Sequence, residues 1–135
     1  MKKFIALTLV CGIALSSMAQ RATTMPLVAG DTVVNTATVN KSFPVTSGYS
    51  AAGVQIVLTK ISGTVAGTTK LQGSLNGSNW EDIGSAFTHT DVASQAKLFT
   101  VTSGMPYTYL RTTSTGSGTM SAKVTVYYVL RKYNN

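Results

Sequence analysis

Few residues of this sequence have side chains that do acid-base or metal chemistry. The chain has one histidine, His89, and four acidic residues, which are Asp31, Glu81, Asp82 and Asp91. Acid-base or nucleophilic catalysis needs several such groups within hydrogen-bond reach, whereas these lie in separate turns. His89 and Asp91 are near enough in sequence to meet across one loop, but a surface His beside an Asp is common without any chemistry. We therefore expect no enzyme activity, no catalytic residue and no cofactor.

The turn after residue 75 contains side chains that offer oxygen atoms to a hard cation. Asn76, Ser78 and Asn79 stand just before the acidic pair Glu81 and Asp82. Calcium accepts carboxylate, amide and carbonyl oxygens of this kind. An ordinary polar hairpin loop has the same composition, so we expect no metal site here.

The first 19 residues have the three-part layout of a secretory signal peptide. Lys2 and Lys3 precede an apolar run at 4–15, and small residues at Ser17 and Ala19 favour a cut before Gln20. An uncleaved membrane anchor would need about 20 apolar residues, which is more than this run contains. We expect an exported protein, found in the periplasm, at the cell surface or in a virion, with membrane contact only during export.

The rest of the composition limits the class of protein further. Cys11 is the only cysteine and lies inside the apolar run, so cleavage leaves no disulfide. Lipidation at Cys11 is the weaker alternative, because Leu9 and Val10 are not the small residues that precede a lipoprotein cysteine. The basic residues are mostly single along the chain and form no basic stripe, so we expect no nucleic-acid partner.

Short runs of strand-forming residues between turn signals predict an all-β fold. Residues 20–30 read as an irregular lead-in, and residues 31–135 fit one domain. Seven such runs favour a single antiparallel β-sandwich, jelly-roll-like or immunoglobulin-like. The seven predicted strands span 32–39, 53–61, 68–75, 80–83, 97–102, 107–113 and 119–132.

Period-two alternation within these runs predicts the core. In the last run, the even-numbered residues from 120 to 130 are apolar and are expected to face inward. The run at 53–61 is apolar on both faces near its middle, which is typical of a central strand. The predicted core residues are Val54, Ile56, Leu58, Leu71, Trp80, Val124, Val126 and Tyr128.

The segment 71–84, Leu-Gln-Gly-Ser-Leu-Asn-Gly-Ser-Asn-Trp-Glu-Asp-Ile-Gly, is the most distinctive in the chain. It resembles a QGS-x-(D/N)G-x-x-W hairpin of small β-sandwich proteins in bacteriophage particles. It is also similar to the S-x-DG-x-x-W turn of discoidin-like carbohydrate-binding domains. Residues 107–111 and 116–119, followed by a long final strand, look like the same phage proteins. The resemblance implies a structural piece of a virion, such as a decoration or spike subunit, and no catalytic residue.

The sequence therefore predicts an exported virion-type structural subunit that self-associates or docks on a larger shell. One alternative is a secreted carbohydrate-binding module, since Trp and Tyr rings stack on sugars, with glycans as partners. Another is a bacterial periplasmic or outer-surface β-sandwich protein with no phage connection. The candidate contact residues are Asn76, Ser78, Asn79, Tyr107 and Arg111. The turns at 76–79 and 114–118 are the candidate contact loops.

Overall fold

The computed structural model describes residues 24–102 and 104–132. The signal peptide predicted at 1–19 lies outside these ranges. The described residues contain eight strands and no helix, and hence no helix that is long and apolar enough to cross a membrane. The strands are β1 (Thr24–Val34), β2 (Thr38–Pro44), β3 (Ala51–Gly63), β4 (Gly67–Ser74), β5 (Glu81–Thr88), β6 (Ser94–Val101), β7 (Tyr109–Gly116) and β8 (Met120–Arg131).

The strands form two four-stranded antiparallel sheets that pack face to face. The first sheet has the order β1-β8-β3-β6 and the second the order β2-β7-β4-β5. The first strand therefore pairs with the last, the second with the seventh, the third with the sixth and the fourth with the fifth. This nested pairing is that of a long hairpin rolled into two sheets, which is a jelly roll. The predicted all-β sandwich is confirmed.

Alternating side chains of β3 and β8 fill the space between the sheets. Ile56 of β3 lies opposite Val126 of β8, and both are fully buried. Val54 and Leu58 of β3 and Val124 of β8 are buried as well, and Leu71 and Leu110 reach them from the second sheet. β3 lies between β8 and β6, as its two apolar faces predicted. Burial of one leucine-sized side chain contributes about 1.5 to 3 kcal/mol, so this cluster supplies most of the stability.

The inward side of the second sheet also carries polar side chains. Thr69 is fully buried, and its hydroxyl is hydrogen-bonded to His89 Nε2 and to Ser114 Oγ, at 2.8 Å in each case. Burial lowers the pKa of the His89 imidazole below its ordinary value, because the charged form loses its hydration, and the Ala66 backbone opposes this by less. His89 is therefore a core residue with a structural hydrogen bond.

Two predictions about the N-terminal part of the domain are corrected. Residues 24–30 of the expected irregular lead-in belong to β1, which begins at Thr24 opposite Val129 of β8, and residues 20–23 lie outside the described ranges. The expected strand at 32–39 is interrupted at Asn35, which has a left-handed backbone with φ 53°, and the chain then enters β2. Asn tolerates this conformation better than most residues, but a single Asn without Gly or Pro is a weak turn signal. The described part of the chain therefore has eight strands, where seven were predicted.

The strand predicted at 80–83 is longer than its alternation indicated. β5 extends to Thr88, but its pairing with β4 shifts between Thr69 and Leu71, around Gly84 with φ 70°. A bulge of this kind breaks period-two alternation, which hid the second half of the strand from the sequence pattern. Bulges also twist an edge strand away from partners, and β5 is an edge strand.

Candidate functional site

The outward side of the second sheet carries a connected set of polar side chains. Gln72 of β4 lies opposite Arg111 of β7 on one side and opposite Asp82 of β5 on the other. Strand alternation directs all three away from the core, because their neighbours Leu71 and Leu110 are directed inward and buried. We call the outward side chains Lys70, Gln72, Asp82, Arg111, Thr113 and Trp80 the polar face.

Gln72 is the centre of the hydrogen bonds on the polar face. Its Oε1 accepts hydrogen bonds from Arg111 Nε at 2.7 Å and from Thr113 Oγ1 at 2.9 Å. Its Nε2 donates to Asp82 Oδ1 at 2.6 Å. The side-chain amide is thereby satisfied at both ends, so its position is well defined and it fixes its neighbours.

Asp82 forms an ion pair within the same set of side chains. Lys70 Nζ donates to Asp82 Oδ2 at 2.6 Å. The hydrogen bond from Lys70 lowers the pKa of the Asp82 carboxyl below its ordinary value, and the hydrogen bond from Gln72 adds to this. Asp82 thus remains ionised and supports Gln72, while Lys70 cancels its charge.

Trp80 lies on the polar face and outside the core cluster, which corrects its predicted core position. The Arg111 guanidinium carbon is 4.2 Å from the centre of the Trp80 ring, in cation-π contact. Trp80 is half-buried, whereas the other predicted core residues are fully buried except for Tyr128. Tyr128 is half-buried and stacks on Phe43 with ring centres 4.0 Å apart.

The turn from β4 to β5 is organised by its own side chains. Asn76 Oδ1 accepts hydrogen bonds from the backbone N–H groups of Ser78 and Asn79, at 2.9 Å each. Ser74 Oγ accepts the N–H of Gly77, also at 2.9 Å, and Gly77 has a φ of 73°. The Asn76 carbonyl oxygen is therefore used inside the loop. Asn76 shapes this loop rather than offering that oxygen to a ligand.

A groove of about 480 Å³ lies at this end of the sandwich. It brings together three predicted contact positions, Asn76, Asn79 and Tyr107, and Trp80 lines it as well. Tyr107 lies against Gly73 so closely that a Cβ at Gly73 would be 2.5 Å from its ring. Trp80 is shared by the groove and the polar face. The volume of the groove is in the range of small-ligand sites.

The other predicted contact positions lie apart from this groove. Ser78 is exposed at the tip of the turn, and Arg111 lies on the polar face in contact with Trp80. In the second predicted contact loop, Ser114 and Gly116 belong to β7 and are buried, which corrects that assignment. Only its last residues, Ser117 and Gly118, are exposed.

The outward side of the first sheet is different in character. Leu98 of β6 and Tyr127 of β8 flank Gln55 of β3, and they are 57% and 44% exposed. Val57 and Val129 lie on the same side and are half-buried. We call the outward side chains Val57, Leu98, Tyr127 and Val129 the apolar face. A pocket of about 450 Å³ lies on this face around Gly53, with Leu98 and Val129 in its lining.

Charge is also distributed unevenly between the two faces. Three of the four acidic residues pair with a lysine: Asp31 with Lys41, Asp91 with Lys60 and Asp82 with Lys70. On β8, Lys123 and Arg131 lie on the same side as the apolar face, and neither makes an ion pair with a described residue. The apolar face is thus flanked by two cations.

The residues first considered for catalysis have other partners. Asp91 accepts hydrogen bonds from Lys60 Nζ and from the Val65 backbone, both at 2.8 Å. His89 is buried and bonded to Thr69. Within residues 24–102 and 104–132, no three His, Cys, Asp or Glu side chains cluster as metal ligands would.

Sequence reasoning identified Arg111 but missed the side chains that hold it. Lys70 and Gln72 alternate with the buried Thr69 and Leu71, so their outward direction was readable from the sequence. Their contact with Arg111 was not, because it depends on which strands are neighbours. No protein-family model and no curated protein sequence matches the chain.

Proposed function

We propose that the protein is an exported, non-catalytic structural subunit of a virion-type surface, which docks or self-associates through its apolar face. The observation that carries the proposal is the exposure of Leu98 and Tyr127 on one open sheet face, on either side of Gln55. Apolar side chains that are grouped on a surface mark contact sites more often than scattered ones do. Jelly rolls also build viral capsid and lectin domains, which supports the proposal by analogy of fold alone.

The geometry of the first sheet suits a flat contact. Its two central strands, β8 and β3, are paired at 12 positions, and the register is unbroken from Ala51 to Lys60 of β3. Stable interfaces bury about 800 Å² on each partner, which is the area of a few strands seen face-on. The side chains at the middle of such a contact carry most of the binding energy, and Tyr127 is of a type that is enriched there.

The test of this proposal is sedimentation velocity of the exported protein over a concentration series, alone and with particles purified from culture fluid. We expect wild-type protein to associate, and Leu98→Ser combined with Tyr127→Ser to weaken association at least about 10-fold. Leu75→Ser is the matched control, because Leu75 is an exposed leucine on a different part of the molecule. A wild-type protein that stays monomeric and never joins the particle band would contradict the proposal.

The mass of the protein in each fraction tests export at the same time. A chain that begins at Gln20 in the particle band supports both signal-peptide cleavage and a virion role. The same mass confined to the cell envelope favours the bacterial periplasmic or outer-surface alternative.

A secreted carbohydrate-binding module is the second candidate function. The observation that favours it is the groove lined by Trp80, Asn79 and Tyr107, which combines aromatic rings with an amide. Binding sites of this size usually join apolar walls to a few polar groups that set orientation. Titration with an array of neutral and charged oligosaccharides tests it, with Trp80→Ala expected to abolish binding that wild-type protein shows.

A further inference from the structure

Arg111 is contacted from two sides, by Gln72 and by Trp80. Its Nε donates to Gln72 Oε1 at 2.7 Å, and its guanidinium lies 4.2 Å from the centre of the Trp80 ring. The two terminal nitrogens of Arg111 have no hydrogen-bond partner among the residues that the structure describes. The side chain is therefore preorganised, with its remaining N–H donors available to something outside the chain.

The supports of Arg111 are themselves fixed. Gln72 cannot turn away without losing its bonds to Thr113 and Asp82. Asp82 in turn is held by Lys70. An exposed arginine normally loses conformational entropy when it binds a ligand, and prior fixation of this kind removes part of that cost.

The charge of Arg111 is not compensated. Asp82 is the acid nearest to it along the network, but both Asp82 oxygens are engaged, by Gln72 and by Lys70. Arg111 makes no ion pair within the described part of the chain. Lys70, Asp82 and Arg111 together leave one net positive charge on the polar face, and the carboxylate of Glu81 lines the neighbouring groove with Trp80.

We infer that Arg111 binds the carboxylate of an acidic sugar that lies on the polar face beside Trp80. This inference rests on the proposed carbohydrate-binding function and specifies its ligand class. A guanidinium presents a planar fork of N–H donors that matches the two oxygens of a carboxylate. Thr113 and Ser42 lie next to Arg111 along β7 and across on β2, and they supply hydroxyl groups of the kind that bond to sugar hydroxyls.

The surroundings favour a sugar over an acidic peptide. One common mode of peptide binding adds a strand to a free sheet edge, and that mode does not reach Arg111, because β7 is an inner strand paired on both sides by β2 and β4. Tyr109 lies two residues before Arg111 on the same side of β7 and is 39% exposed, so it adds a second ring to this side of the sheet. A pyranose ring with a carboxylate at one side is the ligand that this arrangement accommodates.

The test uses three carboxylated oligosaccharides, which are oligogalacturonate, oligomannuronate and a sialylated trisaccharide, each compared with its methyl ester. The ester keeps the sugar ring, removes the charge and adds one methyl group at the carboxyl. Isothermal titration of the exported protein is expected to show at least one acid binding about 10- to 100-fold more tightly than its ester, as for a charge-assisted pair. Arg111→Gln should remove this preference, and Arg111→Lys should keep only a small part of it because the fork is lost.

Two controls keep the outcome specific. Lys123→Gln removes one cation from the opposite face and should leave the preference for the acid unchanged. Thermal unfolding of each variant identifies any variant that has lost its fold, and Arg111→Lys then carries the test if Arg111→Gln is unfolded. An equal loss in Lys123→Gln and Arg111→Gln would contradict the inference.

The remaining outcomes separate this inference from the function on which it rests. If neutral sugars bind in a Trp80-dependent way and acids bind no better than their esters, carbohydrate binding stands and the role of Arg111 is overturned. If none of the three acids binds, or if an acidic peptide binds Arg111 and no sugar does, the inference is wrong.

Discussion

The two outward sheet faces of this sandwich differ in how their side chains are satisfied. On the polar face, Gln72, Asp82 and Lys70 bond to one another, while both terminal nitrogens of Arg111 lack a hydrogen-bond partner and Arg111 makes no ion pair within the described residues. On the apolar face, Leu98 and Tyr127 are exposed, and no described residue covers them. A connected polar surface is stable in water and selects ligands through the few groups left unpaired. An exposed apolar surface gains free energy from being covered by any complementary partner.

We propose that the polar face recognises a ligand and that the apolar face attaches the subunit. The two faces belong to different sheets with the core between them, so a partner on one face would not cover the other. Variants of the core and of each face test this separation.

Leu71→Ala should have the largest effect on stability. Leu71 is fully buried directly between the outward Lys70 and Gln72, so its loss leaves a cavity beneath the polar face. We expect a loss of about 2 to 5 kcal/mol in the free energy of unfolding, measured by urea denaturation. A loss below about 1 kcal/mol would show that the polar face does not depend on the core beneath it.

Trp80→Ala should have a smaller effect, since the ring is half-buried and stacks on Arg111. We expect a loss of about 1 to 2 kcal/mol, from partial burial and the cation-π contact. The same denaturation experiment measures it, with Trp80→Phe as the matched variant that keeps an aromatic ring. A loss of about 3 kcal/mol or more would show that the Trp80 ring belongs to the core.

Gln72→Leu removes the residue at the centre of the hydrogen bonds on the polar face and leaves the apolar face unchanged. Arg111, Thr113 and Asp82 each lose a hydrogen-bond partner, but all three can turn to water. We expect a loss of about 1 kcal/mol in stability, with a larger relative loss of ligand preference. NMR relaxation of the Arg111 Nε–H should show increased mobility, and unchanged mobility would contradict a positioning role for Gln72.

The buried His89 should make stability depend on pH. Burial lowers its pKa in the folded protein, so the unfolded chain binds more protons at mildly acidic pH. The contribution of neutral His89 to the free energy of unfolding is therefore complete above about pH 6.5, and it is lost as the pH falls below that value. Asp31, Asp82 and Asp91 have lowered pKa values too, and their contribution is lost only at more acidic pH.

The measurement for His89 is the unfolding temperature between pH 7.5 and 5. His89→Gln can keep a hydrogen bond to Thr69 and should flatten the pH dependence in this window. A wild-type protein that is equally stable at pH 7.5 and pH 5 would contradict the account of His89.

Leu98→Ser should have the smallest effect on stability and the clearest effect on association. Leu98 is mostly exposed, so its replacement should change the free energy of unfolding by about 0.5 kcal/mol or less. Weakened docking with unchanged stability would identify the apolar face as a contact surface. A large loss of stability would mean that Leu98 supports the fold of the single domain.

Much of the core was predictable from the sequence, because alternation is a property of each strand by itself. Met120 to Leu130 alternated clearly, and five of the six even-numbered positions there are buried. The same alternation also predicts the outward position of Trp80, which the sequence analysis assigned to the core. Ile83 faces the core, and period two then places Trp80 on the side of Asp82, facing outward.

The candidate site was less predictable, because its contacts join distant strands. Gln72 and Arg111 are 39 residues apart in sequence and meet only because β4 lies beside β7. No local pattern specifies which strands become neighbours. The bulge at Gly84 and the turn at Asn35 were missed for a related reason, since each rests on one residue whose backbone conformation the pattern does not show.

The most direct test of the separation between the faces is hydroxyl-radical footprinting of the exported protein, free and in the particle band, read by mass spectrometry. We expect Leu98 and Tyr127 to lose reactivity on assembly, and Trp80 and Tyr109 to keep theirs. Protection of Trp80 and Tyr109 with unchanged Leu98 and Tyr127 would contradict this expectation, because the polar face would then be the surface of attachment.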